Sequence, residues 1–420
     1  VDARQVEEFA KDMAKPLVEG PPGRSSGLHV FVFLEEIAEE TRDQWLGCVL
    51  GGAIGDALGA PVEFASLDSI RRQYGTDGIT DYGPVGRWTD DTQMTPFTLE
   101  GLIRAHVRKR LLGQRNPLAE VQLAYQRWLH TQGIPWEQAA GQFLPAYPEP
   151  DGWLISQREL FQLRAPGNTC LGALRRFGAG HPPATFTNRI NDSKGCGGVM
   201  RAAPAALWSQ DPPQVFQLGA AIAALTHSHP SGYLSAGAFA VILWETLWTG
   251  KPFRGVYTAL EELKKWEGHE ETTRALQAAL DLSKKAWDRG KAPTPEEIET
   301  LGGGWTGEEA LAIAVCAVLG TPYDNFERTL RVAVNHSGDS DSTGAIAGNI
   351  AGASFGLSGI PAHWIERLER KDVLFRIAED AYREFGPNPP TDPEWFQRYP
   401  IKMSEGQDSG PAQPDPSMLW

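Results

Sequence analysis

The 420-residue chain has only four cysteines, Cys48, Cys170, Cys196 and Cys316, and no two form a CxxC pair. That spacing excludes a zinc ribbon, and a disulfide framework is not expected at this length. Free thiols fit a reducing compartment, so a cytoplasmic location is expected. Basic residues are also short. Against 53 Asp and Glu stand 39 Lys and Arg, giving a formal net charge of −14. Nucleic acid and anionic membrane surfaces both call for a basic footprint, so neither is expected as a partner. No uninterrupted apolar run reaches the roughly 18 residues of a membrane-spanning helix. The N-terminus, with Asp2, Glu7 and Glu8, has no apolar stretch of the signal-peptide kind. Alternating strand patterns are scarce, and no solenoid-type repeat is visible.

What is present is core material. Hydrophobic residues make up 41% of the chain, and the fourteen Trp are expected in core or pocket walls. Helical candidates follow one another from 43–60 to 372–384, including 157–164, so the expected fold class is all-α, a compact multi-helix domain. Residues 1–42 read as an N-terminal extension, with a helix in 1–20 and a short apolar run, LHVFVFLEEI, that suits a strand or a helix start. Residues 43–385 read as the main domain. Residues 386–420, rich in Pro and turn formers, read as an extended C-terminal tail.

Two glycine ladders stand near the ends of the main domain. Gly47, Gly51, Gly55 and Gly59 recur every fourth residue, and so do Gly344, Gly348, Gly352 and Gly356. On a helix such residues share one face and leave a groove for another backbone. Each helical Gly costs about 1 kcal/mol relative to Ala, so close helix packing is expected at both; the sharper alternative is that the two ladders pack together or near each other.

Each ladder has a cluster of carboxylates and hydroxyls near it. After the first comes GRWTDDTQMT, with Thr89, Asp90, Asp91 and Thr92; before the second comes GDSDSTG, with Asp339, Ser340, Asp341, Ser342 and Thr343. Both precede helical patterns. A helix cap explains one Asp or Thr at each place, not the whole group. Gathered carboxylates repel unless protonated or neutralised by a cation. Carboxylate, hydroxyl and water form a hard oxygen set suited to Mg²⁺, Mn²⁺ or Ca²⁺. GDSDSTG is not an EF-hand loop, because Ile350 stands where the bidentate Glu is required. Asp56 lies on the first ladder helix, and Glu63 just beyond it. KGCGGVMRAAP, residues 194–204, is a glycine-rich turn of the kind that presents N–H groups to phosphate, although it is no P-loop. His227 and His229 flank a break between two apolar helices, where a structural or capping role is the ordinary one.

Taken in order, GDALGAPVEF, WTDDTQM, GCGGVMR, THSHP and GDSDSTGAIAGNIAGASFG resemble the ADP-ribosylglycohydrolase family, most closely its dinitrogenase-reductase-activating branch. The resemblance covers roughly residues 43–380. It implies a compact all-α domain with two Mg²⁺ or Mn²⁺ ions in a cleft. It implies metal ligands Thr89, Asp90 and Asp91 on one side, and Asp339, Asp341 and Ser342 on the other, where the family usually has Thr at the last position. Glu63 matches the family glutamate near the metals. Catalysis is expected from Glu63, Asp91 and Asp341. Substrate contacts are expected from Gly195, Cys196, Gly197, Gly198, Met200 and His227; the family often carries Asn where Cys196 stands. The implied activity removes ADP-ribose from modified proteins, with arginine as the expected linkage. The alternative is an immunity protein whose residues 1–42 occlude an ADP-ribosyltransferase toxin.

Overall fold

The computed structural model describes residues 27–321 and 325–402. The helix expected within residues 1–20 therefore lies outside the described residues. By packing, the chain divides into Val1–Glu40 and Thr41–Trp420. The residues that build the candidate site lie in the second unit.

Apolar residues at helical spacing produce helices throughout, and among the described residues no strand forms. Isolated bridges join Gly86 to Leu368 and Gly195 to Thr306. The helices of eight or more residues are α1 (Gly27–Gly59), α2 (Leu67–Tyr74), α3 (Asp90–Leu112), α4 (Pro117–Thr131), α5 (Asn168–Gly178), α6 (Pro212–Ala224), α7 (Pro230–Thr249), α8 (Pro252–Leu263), α9 (Glu270–Asp288), α10 (Gly307–Gly320), α11 (Phe326–Val334), α12 (Ser340–Phe355) and α13 (Lys371–Phe385). The all-α class is thus what forms, and LHVFVFLEEI is helical. Helix α7 is apolar almost all round because α6, α8, α10 and α12 pack around it. Residues 39–62 are long and apolar enough to cross a membrane by composition, yet their most apolar window is 89% buried, as in a core helix.

Three local expectations change. Residues 157–164 form only a 3-10 turn, Arg158–Leu160, because the backbone leaves the helical region on both sides of it, at Gln157 (ψ 93°) and at Phe161 (ψ 62°). Helix α2 was not foreseen; Leu67 and Ile70 are its only buried residues, too few to show a period. The stretch from 386 is not simply extended. Asp392 caps a helix, Pro393–Arg398, that buries Trp395 and Tyr399. The Trp395 indole donates to Glu384 (2.9 Å) and the Tyr399 hydroxyl to Asp380 (2.8 Å), both on α13.

The two glycine ladders mesh. A Cβ built on Gly47, Gly51 or Gly55 would fall on the carbonyl of Gly352, Gly348 or Gly344, and the reverse holds for each partner. Gly59 continues the series against the Ser340 carbonyl. Asn349 locks the register by donating to the Cys48 carbonyl at 2.8 Å. Backbone lies on backbone along four turns of α1 and α12.

A methyl group has no room in this seam. Gly51→Val should lower unfolding stability by about 3 kcal/mol or more, the upper range for overpacking. Gly172, inside α5, has nothing within 4 Å of a built Cβ. Gly172→Ala should raise stability by about 0.5–1 kcal/mol. Urea denaturation of the two variants checks the contrast; equal effects contradict it.

Candidate active site

The site begins with Asp56, which α1 carries into the interior one residue past Gly55. Its carboxylate accepts from the Thr89 N–H (2.9 Å), the Thr89 hydroxyl (3.0 Å), the Thr92 N–H (3.0 Å) and the Thr92 hydroxyl (2.6 Å). These bonds fix the first turn of α3. Trp88 is held from the other side by Arg164, whose guanidinium lies 3.9 Å from the ring centre and pairs with Glu369 at 2.9 Å. Thr89 is the N-cap of α3, its oxygen accepting from the Asp91 N–H. The cap is therefore a threonine, and neither aspartate is consumed by it. Asp90 accepts from the Gly167 N–H at 3.4 Å. One oxygen of Asp91, Oδ2, is buried without a hydrogen-bond partner.

The second cluster repeats this economy. Asp339 occupies the N-cap position of α12, yet its side chain makes no cap hydrogen bond. The Cys196 thiol donates to its Oδ2 at 2.8 Å, and the Ser342 hydroxyl lies 3.5 Å from the same sulfur. Ser340 and Thr343 turn away, donating to the carbonyls of His336 and Ala333. Ser342 is the hydroxyl left beside the carboxylates. Glu63 arrives from the end of a short 3-10 turn, Ala60–Val62. Its neighbour Phe64 has φ +63° and donates its N–H to the Gly338 carbonyl at 3.3 Å. The Phe64 ring, 72% exposed, stacks on Trp305 with centroids 5.0 Å apart.

Ligand oxygens of Glu63, Asp339 and Asp341 lie within 4.8 Å of one another. Burial and the Asp341 charge push Asp56 up to about 7, against its hydrogen bonds from Thr92 and Thr89. Burial, Asp341 and Asp90 push Glu63 up to about 8. Burial and neighbouring carboxylates also hold Asp90, Asp91 and Asp339 well above the ordinary range. For all five the first cause is burial and the next is the charge of Asp341. A buried oxygen without a donor, among hydroxyls and acids, is what a hard divalent cation satisfies. The residues present fit such an ion.

Beside the carboxylates lies the glycine turn, residues 195–198, whose Cys196–Gly198 segment is one turn of 3-10 helix. The Cys196 N–H donates to the Trp305 carbonyl (3.1 Å), and the Asp339 N–H to the Gly303 carbonyl (2.8 Å). Residues 303–305 thus tie the turn to the second acidic cluster. Arg201 supports it from beneath, fully buried. Its guanidinium donates to the Gly197 carbonyl (2.7 Å), the Tyr125 hydroxyl (2.9 Å) and the Thr226 hydroxyl (2.6 Å). His227 packs against the turn, its ring within about van der Waals contact of a Cβ built on Gly195 or Gly197. Burial and the Arg201 charge push its imidazole down to about 3, so it is neutral. Met200 is buried in the core. His229 caps α7 by accepting from the Ser231 N–H at 3.1 Å.

A sequence profile described as ADP-ribosylglycohydrolase matches residues 38–390. The chain belongs to this family. Most of the 1–42 extension lies outside that match. The chain is 27% identical to an ADP-ribosyl-[dinitrogen reductase] glycohydrolase of Rhodospirillum rubrum, over 79% of this chain and 92% of that one. It is 25% identical to the ADP-ribosylarginine hydrolase Tri1 of Serratia proteamaculans, over 82% and 80%. It is 26% identical to the ADP-ribosylhydrolase ARH3 of Danio rerio, over 80% and 90%. A solved structure titled ADP-ribosylglycohydrolase-related protein complex superposes with a TM-score of 0.55 at 25% identity, covering 83% of this chain and all of that one.

Of the carboxylates singled out in the two acidic clusters and near the first ladder, Glu63, Asp339 and Asp341 gather within 4.8 Å, and Asp56, Asp90 and Asp91 are near enough to feel the Asp341 charge. Three contributors escaped notice in their structural roles: Asp56, Arg201 and the 303–305 loop. A lone Asp in an Ala/Gly helix was a signal for the first. A lone Arg inside the apolar run VMRAAPAAL was one for the second.

The pKa shifts set a pH dependence. Asp56 and Glu63 bind protons more tightly folded than unfolded. Their stabilisation is complete below their ordinary values near 4 and is lost as pH rises through about 7 and about 8. In metal-chelated protein the melting temperature should therefore fall between about pH 5 and about pH 8.5, and added Mn²⁺ should restore it more at the upper end. Calorimetric scans with chelator across this interval check it; a melting temperature that climbs throughout contradicts it.

Proposed function

We propose that this glycohydrolase removes ADP-ribose from arginine side chains with the help of divalent metal ions. The observation that carries the reading is the meeting of the two acidic helix starts and Glu63, beside a glycine turn braced by Arg201. Support for arginine comes from the two relatives named for dinitrogen reductase and for ADP-ribosylarginine.

In this reading Thr89, Asp90 and Asp91 hold metal from one side, and Asp339, Asp341 and Ser342 from the other, with Glu63 at the edge. Bound Mg²⁺ or Mn²⁺ would supply charge neutralisation and Lewis-acid orientation of a ribose diol. The chain's own groups do the rest. The Gly195 N–H is spent on the Ser193 hydroxyl and the Cys196 N–H on the Trp305 carbonyl, so the Gly197 N–H is the donor that the 3-10 turn at 196–198 would offer a diphosphate. Neutral His227 keeps that turn in shape without adding charge. Glu63, Asp91 and Asp341 are the groups placed to take a proton from an attacking water or return one to the leaving group. The ends of α3 and α12 direct their positive poles at the carboxylates and favour their ionised forms once a cation is present.

The test is ADP-ribose release from arginine-, serine- and thiol-linked substrates side by side, with Mg²⁺ and Mn²⁺. The arginine linkage should be cleaved fastest. Asp90→Ala and Asp341→Ala should each lose about a hundredfold or more in rate. Full activity in the double variant would sink the metal reading. Faster release from serine would sink the linkage.

A further inference from the structure

A second cavity lies away from the carboxylates. It has a volume of about 750 Å³, within the range of small-molecule sites. Its walls are mainly apolar and aromatic, with Phe143, Phe177, Phe186 and Trp208 around the inner face of α6. At its rim stand Lys109 and Arg115. Lys109 follows Asp90 by nineteen positions on the same helix, a rise of about 28 Å. The cavity thus lies toward the far end of α3 from the acidic cluster.

Its charge is anomalous for this protein. The chain carries 53 acidic residues, yet among the described residues no Asp or Glu lines the cavity. The start of α4 adds to the positive side. Asn116 caps it, accepting from the Ala119 N–H at 3.1 Å, and Asn116 to Ala119 all line the cavity. A fifteen-residue helix directs partial positive charge from that end. Lys109 lies 5.5 Å from the Trp208 ring centre, and no carboxylate pairs with it among the described residues. Burial and then the Arg115 charge hold its ammonium below the ordinary lysine value. Two cations and a helix start converge at the mouth of a space whose interior offers amides, hydroxyls and rings.

We propose that this cavity binds an amphipathic monocarboxylate of the fatty-acid type, its chain among the aromatic walls and its head at Lys109 beside the start of α4. The apolar interior disfavours a nucleotide or a free phosphate, which would bury charge among rings. A neutral or cationic amphiphile would forgo the rim.

The experiment is calorimetric titration of the full chain with decanoate below its micelle concentration, beside decanol and decylammonium. Decanoate should bind at one site per chain, with Kd of about 1–100 µM for a ligand of this size. The two comparison amphiphiles should bind at least tenfold more weakly. Lys109→Gln should weaken decanoate about tenfold and leave decanol unchanged. Ala221→Trp, which fills the space from α6, should abolish binding; an unchanged circular dichroism spectrum distinguishes this from misfolding, and Lys109→Gln tests the rim if that variant does not fold. ADP-ribose should not compete. Equal affinity for decanol and decanoate, competition by ADP-ribose, or no binding to the full chain overturns the proposal. Failure here leaves the hydrolase reading untouched, because neither variant touches the carboxylates.

Discussion

The contact on which the rest depends is the seam of backbone between α1 and α12. Glycine after glycine on each helix lies against a carbonyl of the other. Each of these residues weakens its own helix by about 1 kcal/mol. What offsets that cost is proximity. Two helices with side chains between them keep axes roughly 8–10 Å apart, whereas bare backbones approach more closely and gain dispersion and Cα–H···O contacts along the whole seam. Distance is what the site needs. Asp56 stands between the last two glycines of the first ladder and Glu63 just after it, and Asp339 and Asp341 precede the second. Any side chain in the seam would push these groups apart.

Bringing carboxylates together is the easier half; keeping them there without a counter-charge is the harder. The fold does so with donors that leave metal-facing oxygens unused. Asp56 absorbs four donors from Thr89 and Thr92 and thereby spares the carboxylates of Asp90 and Asp91. A threonine caps α3, and the N-cap Asp339 is not used as a cap. The hydroxyls divide in the same way: Ser340 and Thr343 serve the backbone, and Ser342 donates to the Cys196 sulfur that bonds Asp339. Burial then raises the proton affinity of the whole group. Such an arrangement is stable protonated or with a cation, and strained in between.

Much of this was legible because it repeats. A four-residue glycine period and two hydroxyl–carboxylate clusters are patterns, and patterns survive without a structure. The all-α class followed from helical periods over long segments. What stayed hidden was carried by single residues or by contacts between distant segments. Arg201 reads as an oddity in an apolar run until its oxygen partners Tyr125, Gly197 and Thr226 and the sulfurs of Cys170 and Met94 are assembled around it. The role of Asp56 depends on Thr89, thirty-three residues away. Trp305 looked like any other tryptophan, although its carbonyl anchors the Cys196 N–H and its ring covers Phe64. Helix α2 and the 393–398 turn were too short for a period, and proline counts in the tail concealed the buried Trp395 and Tyr399. The proposed 1–42 arm depends on residues that are largely outside those described.

The members of the acidic group are not held alike. Asp90, Asp91 and Asp341 stand in the first turns of long helices, and Asp339 holds the N-cap position of one, so their backbones are fixed by the seam and by Asp56. Glu63 stands on a non-helical segment between Val62 and α2. Its restraints are the Glu63 N–H to the Gly59 carbonyl (3.1 Å), the Phe64 N–H to the Gly338 carbonyl (3.3 Å) and the exposed stack of Phe64 on Trp305. A bulky residue at positive φ costs of order 1–3 kcal/mol, so that stack works against local strain. The aspartates are therefore suited to define a fixed coordination frame. Glu63, the least tethered and the least buried of the acids that gather here, is suited to the part of the reaction in which something must enter, leave or accept a proton.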